Sequence, residues 1–278
     1  MKKILLNLSV VFISLAFFFL FTDNPQKLKD ETVTDNIIAV EVENKNNVTD
    51  IPDKRLDLDK MKEVNLDVAG WIYIPGTSIN YAIMKTDKVD SKGQNFYFRK
   101  DEKKNPAFEG SIWCDKGVNL SPFLKLSDNL ILHGHNLDDN PEGKRFAQLV
   151  KFQDKKFAEQ TPYIFITTED KQLIYEIYAV FFTDTNFEYY SLGMDEIKRS
   201  QVIQGAIARS EYIYNVDVSG KDYIITLSTC TYKFGKYGSE AQSKTRFVIQ
   251  GKLLDTPKNL KTNIFLEMNP SPVKPVLK

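Results

Sequence analysis

A mainly β fold, built as an antiparallel sheet or barrel, is what this sequence predicts. Short runs rich in Ile, Tyr, Phe and Trp alternate with turn residues along most of the chain. Of its 278 residues, 42% are hydrophobic and 12% aromatic, which supplies one sizeable core rather than two packed domains. No internal repeat and no Gly-rich phosphate loop interrupts the pattern.

Leu56, Leu58, Met61 and Val64 recur at mixed spacings of two and three within a charged stretch, which predicts a short amphipathic helix packed on the domain. Asp57 and Asp59 belong to its solvated face, since no further ligand or loop glycine follows at metal-binding spacing. Strands are expected over residues 70–74, 79–84, 95–98, 111–114 and 129–133, with Pro75-Gly76 as a turn. Residues 143–150 and 154–160 read as short helices, followed by strands over 163–167 and 172–183. A helix is expected over 195–209, with Ile197, Val202, Ile203, Ala206 and Ile207 as its apolar face and Asp195 and Glu196 at its positive N-terminal end. The last strands are expected over 222–229 and 245–254. The prolines at 257, 270, 272 and 275 suggest a loosely held tail over 256–278.

The N-terminus predicts the compartment. Lys2 and Lys3 precede a nineteen-residue run, Ile4 to Thr22, broken only by Asn7, Ser9 and Ser14, which is long enough to span a bilayer. The run ends in large residues rather than a small-residue cleavage site, so it reads as an uncleaved signal anchor, with an atypical cleaved signal as the alternative. The lysines favour the cytoplasmic side. The expected organisation is therefore a cytoplasmic end (1–3), an anchor (4–22), an extracellular polar stalk (23–54), a folded domain (55–255) and the tail, all exported beyond the anchor. Lys+Arg and Asp+Glu both total 37, so no global field draws the chain to nucleic acid.

Two cysteines in an exported chain invite a disulfide, but Cys114 and Cys230 lie in very different local settings and a core of this size does not depend on a staple. The two histidines, His133 and His135, flank Gly134 at the end of an apolar run, and strand alternation sends both to one face at a sheet rim. A zinc reading of the pair lacks further ligands at suitable spacing. Cys230 ends a run of β-branched and apolar residues and is followed by a polar loop. If the flanking strands pair as a hairpin, Arg246, sixteen residues on (246 − 230), falls close to Cys230. A neighbouring imidazolium or guanidinium favours the thiolate that attacks a carbonyl, and a guanidinium can bind charge developing on the carbonyl oxygen.

At these residues the sequence resembles the sortases. Thr226-Leu227-Ser228-Thr229-Cys230, an arginine at the start of the next strand and an upstream Gly134-His135 carry the likeness. Residues 67–77 and 110–115 and the helix before the cysteine strand are similar to class B members, and the likeness spans residues 56–254. The loop from Cys230 to Arg246 is long for that class, and Arg246 is the only arginine after Arg209. The Asp-Pro-aromatic lid of many pilin-polymerising relatives is missing near the N-terminus.

The resemblance implies a closed barrel of about eight strands, with an N-terminal helix and a helix inserted before the cysteine strand. It implies Cys230 as nucleophile, His135 as proton-transfer partner, Arg246 as stabiliser of the reacting carbonyl and Thr226, Leu227, Ser228 and Thr229 as substrate-binding residues. His133 is then a neighbour of the site and Cys114 a small buried hydrophobe. The implied partners are secreted proteins with a C-terminal sorting motif, cleaved after Thr, an amine of peptidoglycan, and the membrane; no metal or organic cofactor is required. Two alternatives stay open: a pilin-assembling enzyme using a lysine nucleophile, and a non-catalytic exported scaffold.

Overall fold

The computed structural model describes residues 52–123, 125–255 and 260–277. The expected cytoplasmic end, the anchor and most of the stalk lie outside the described residues, among which no helix is long and apolar enough to cross a membrane.

The chain opens with α1 (Arg55–Val64), whose Leu58 is fully buried against Val68, Met84, Tyr97 and Trp113, while Leu56 and Val64 remain exposed. Strands β1 (Val68–Tyr73), β2 (Asn80–Lys85), β3 (Ile112–Cys114), β4 (Asn129–His133), β5 (Tyr163–Thr167) and β6 (Gln172–Asp184) lie close to their expected places. Helix α2 (Lys155–Gln160) precedes β5, and α3 (Glu196–Arg209) follows β6 with Asp195 as its N-cap, accepting from the Lys198 amide. A two-residue β7 (Tyr212–Ile213), then β8 (Ile224–Cys230), α4 (Glu240–Lys244), β9 (Thr245–Leu253) and β10 (Glu267–Met268) complete the order.

Eight strands close into a barrel in the order β1-β2-β3-β4-β8-β9-β6-β5, with β5 returning to β1. Pairing is antiparallel except for β2 with β3 and β4 with β8. The fold expected from the sequence, mainly β with about eight barrel strands and a helix before the cysteine strand, is the one observed. The barrel interior holds Ile72, Ile83, Leu130, Leu132, Ile166, Ile225, Leu227, Phe247 and Ile249. Outside, α3 lays Val202, Ile203 and Ala206 on Tyr178, Phe181, Ile224 and Val248. Ile197 and Ile207, expected on the same face, are 71% and 38% exposed, so the buried stripe is narrower than the sequence indicated.

Three other expectations are corrected. Residues 95–98 form not a strand but a 3-10 helix, Phe96–Arg99, because the Asn95 side chain caps the Tyr97 amide and the buried Tyr97 hydroxyl is held by Asn65 and Asp67. The helix expected over 143–150 is a longer 3-10 run, Arg145–Gln153. The C-terminal segment is not loose: β10 pairs with β7, Leu260 and Leu266 are buried, and the Val276 amide donates to Asp184.

A buried polar chain crosses the outer face of the barrel. The Tyr178 hydroxyl donates to Gln250 Oε1 (2.7 Å), Gln250 Nε2 to Thr226 Oγ1 (2.9 Å), and Thr226 Oγ1 to Asn129 Oδ1 (2.8 Å), joining β6, β9, β8 and β4. Thr226→Val keeps the shape but takes away the bonds that Thr226 makes to Asn129 Oδ1 and Gln250 Nε2. It should therefore cost about 1–3 kcal/mol of stability, measured by urea unfolding; a variant as stable as the wild type would show that the chain contributes nothing to holding these strands.

Candidate active site

The site forms where β4 and β8 end side by side. In the parallel β4–β8 pair, His133 stands opposite Ser228, and in the antiparallel β8–β9 pair Cys230 stands directly opposite Arg246. Ile225 and Leu227 fill the barrel interior, so alternation sends Thr226, Ser228 and Cys230 to the outer face; Phe247 and Ile249 do the same for Arg246. The hairpin expectation thus places the thiol and the guanidinium as register partners on one face.

Cys230 and Cys114 are both free thiols, and no disulfide joins them. They differ in access. Cys114 is fully buried, and burial pushes its thiol up to about 12, which keeps it protonated and unreactive. Cys230 is half-buried at the strand end. Of the two, only Cys230 offers a nucleophile to solvent.

His135 follows β4 through Gly134, where a Cβ would stand 2.5 Å from Ile112 Cδ1 and 2.8 Å from Phe146 Cγ. Only glycine lets the chain turn this tightly against the core and deliver the imidazole to the rim. The ring is 8% exposed, packed 4.3 Å from the Phe98 ring and 5.9 Å from Trp113, and its Nε2 lies 2.8 Å from the Phe98 carbonyl oxygen. A carbonyl only accepts, so Nε2 carries the hydrogen and Nδ1 holds the lone pair of the neutral ring. Burial, aided by the Arg99 charge, holds His135 down to about 4, and the Phe98 carbonyl offsets only part of this. His133 stacks on Trp113 at 5.7 Å, with Nε2 3.5 Å from Asp115 Oδ2, so both histidines lean on one tryptophan.

Arg246 Nη1 donates to the carbonyls of Ser243 and Thr245, each at 2.8 Å, so the loop that carries α4 steadies the guanidinium. Thr226 and Leu227 are wholly buried, the first within the polar chain and the second in the core. Ser228 Oγ is 2.9 Å from the Tyr189 hydroxyl, and Thr229 Oγ1 donates to the Gly134 carbonyl at 2.7 Å. Thr226 and Leu227 therefore present no surface to a ligand, and Ser228 and Thr229 serve the site through internal bonds. Among the described residues no group of three or more His, Cys, Asp or Glu side chains is placed to hold a metal. The sequence reading passed over Phe98, which orients His135, and Asn136 and Asp139, which reach the Cys230 segment. Only a Gly-His followed by Asn and Asp hinted at the last two.

A family model described as the sortase domain matches residues 72–254. The chain is 34% identical over 226 residues to sortase B of Listeria monocytogenes, covering 81% of this chain and 85% of that protein. It is 27% identical over 212 residues to sortase B of Staphylococcus aureus, covering 72% and 75%. Among solved structures, a Staphylococcus aureus sortase B–substrate complex superposes with a TM-score of 0.61 at 25% identity, covering 73% of this chain and 87% of that one.

The His135 environment has a measurable consequence. An unfolded histidine takes up its proton near 6.5, whereas the folded protein refuses it until about 4. The stability this contributes is therefore complete above the unfolded value and is lost as pH falls from 6.5 toward 4. It amounts to on the order of 3 kcal/mol. Urea midpoints at about pH 7 and about pH 4 should converge when His135→Gln is compared with the wild type; an equal acid loss in both would place the effect elsewhere.

Proposed function

Because the chain belongs to the sortase family, class B, whose members are cysteine transpeptidases, we propose that it cleaves a C-terminal sorting motif of secreted proteins after a threonine and transfers the protein to an amine of cell wall peptidoglycan. The observation that carries this reading is the β8–β9 register, which sets Cys230 against Arg246, beside the loop bearing His135.

In this reaction the Cys230 thiolate attacks the threonine carbonyl. His135, neutral at rest with its Nδ1 lone pair available, takes the thiol proton and returns it to the departing amine. The C–N bond breaks, a thioacyl enzyme remains, and the tail leaves. The incoming amine loses a proton to His135 as it attacks the thioester, and the Cys230 thiol is regenerated when the amide forms. The Arg246 guanidinium stabilises the oxyanion in both steps. No cofactor enters this sequence. Export and membrane anchoring are part of the same reading, supported by Lys2, Lys3 and the apolar run that follows them.

Intact-mass spectrometry of the full chain in detergent, incubated with a panel of sorting-motif peptides, tests the reading. Wild type and Cys114→Ala should each gain a thioacyl adduct and Cys230→Ala none; adduct loss in Cys114→Ala alone would mean the nucleophile is misassigned. Absence of an adduct with every peptide would favour a non-catalytic scaffold. Arg246→Lys replaces a planar donor fork by a point charge, so kcat should fall on the order of 100-fold. A variant that turns over like the wild type would remove Arg246 from the oxyanion role.

A further inference from the structure

Four hydrogen bonds stitch the loop after β4 to the residues around the nucleophile: Thr229 Oγ1 to the Gly134 carbonyl (2.7 Å), Asn136 Nδ2 to the Cys230 carbonyl (3.0 Å), and Thr231 Oγ1 (3.1 Å) and the Tyr232 amide (2.8 Å) to Asp139 Oδ2. They bracket Cys230 from both sides. Asn136 is 1% exposed and Thr231 fully buried, so the bonds these two make are shielded from competing water on that side. Asn136 and Asp139 also lock one another. Asn136 Nδ2 donates to Asp139 Oδ1 at 2.5 Å and Asn136 Oδ1 accepts from the Asp139 amide at 2.8 Å. The turn holds Asp139 at φ 52°, a left-handed conformation that a non-glycine residue adopts at a cost and that its own bonds offset.

We propose that Asn136, Asp139 and Thr231 form a clamp that sets the spacing of His135 and Cys230, acting as positioning residues for the transfer reaction. The inference rests on the roles given above to His135 and Cys230. Its physical basis is that the two reacting side chains stand on separate strand ends, each followed by a loop. The β4–β8 ladder pairs the chains only through His133 and Ser228, two residues short of each group. Beyond that point nothing in the backbone ladder fixes the distance, and an error of about 1 Å in such a pair can cost about 100-fold in rate. The Phe98 carbonyl fixes the tilt of the His135 ring but makes no bond to the Cys230 segment; the clamp makes three. Asp139 also anchors the start of the loop that leads to Arg246, through the Tyr232 amide, so the clamp reaches all three groups.

The test uses the full chain in detergent, with Asn136→Ala and Thr231→Val, neutral substitutions that break the clamp without changing charge, and Thr231→Ser, which keeps the hydroxyl. Single-turnover acylation should slow by about 10- to 100-fold in the first two with KM changed less than about threefold, while Thr231→Ser returns to near the wild-type rate. The second readout needs no substrate: the pH midpoint of Cys230 alkylation by iodoacetamide, which the buried Cys114 does not obscure. His135→Ala should move that midpoint when the clamp is intact and move it far less in the Thr231→Val background, a non-additivity that a merely structural role would not produce. Folded variants that acylate at the wild-type rate, or additive shifts in the alkylation midpoint, would overturn the clamp. A rise in KM at unchanged kcat would also overturn it, since the loop would then be reading substrate. If the wild type acylates with no peptide yet the alkylation shifts are non-additive, the sorting reaction fails and the clamp stands.

Discussion

The register of β8 between β4 and β9 is the constraint on which the rest of the molecule depends. Strand side chains alternate with a period of two, so a one-residue slip would turn Cys230 into the barrel and expel Leu227 from it. Two sets of interactions oppose the slip. Inside, Ile225 and Leu227 fill the core; outside, the Thr226 hydroxyl donates to Asn129 and accepts from Gln250, a pairing that exists in one register only. The polar residue in the middle of a buried strand is therefore a register device. The same register that satisfies it brings Cys230 opposite Arg246.

Packing then decides which of two chemically identical groups is accessible. Cys114 and Cys230 both sit on barrel strands, yet one lies wholly within the core with its thiol held protonated, while the other emerges where β8 runs out of partners on β4. The close approach at Gly134 is the counterpart on the histidine side. A side chain there would collide with Ile112 and Phe146, so the core itself sets how near to the barrel His135 must turn. Arg246 completes the arrangement because its loop folds back through α4, with Ser239 capping that helix at the Gln242 amide.

The parts of this design written in local pattern were legible. Alternation and β-branched runs located β4, β5 and the cysteine strand almost to the residue, and a strand end followed by a polar loop marked Cys230. What escaped was written in distant partners. Residues 95–98 have strand composition, but a one-residue cap and the hydrogen bonds of the Tyr97 hydroxyl to Asn65 and Asp67 curl them into a 3-10 turn. The C-terminal segment reads as loose from its prolines, yet Leu260 and Leu266 find apolar seats built by other elements. Thr226 and Leu227 belong to the family's motif, which made them read as ligand contacts; only the folded barrel shows that both are fully buried, Leu227 inside it and Thr226 on its covered outer face. Asn136 and Asp139 look like ordinary loop residues because their partners lie more than ninety positions away in the chain.

The environment of His135 limits how the proposed chemistry can run. With Nε2–H given to the Phe98 carbonyl and the ring enclosed by Phe98 and Trp113, the resting imidazole is neutral, and the proposed reaction has to begin with it as a base, through Nδ1. Once protonated, the ring is a strong acid, since burial disfavours the imidazolium, which suits the proposed return of the proton to a leaving amine. The burial that makes protonation costly at rest thus drives the return transfer. Arg99, whose positive charge depresses His135 further, lies on the 3-10 helix that supplies the Phe98 carbonyl, so one short element both orients the imidazole and sets its acidity.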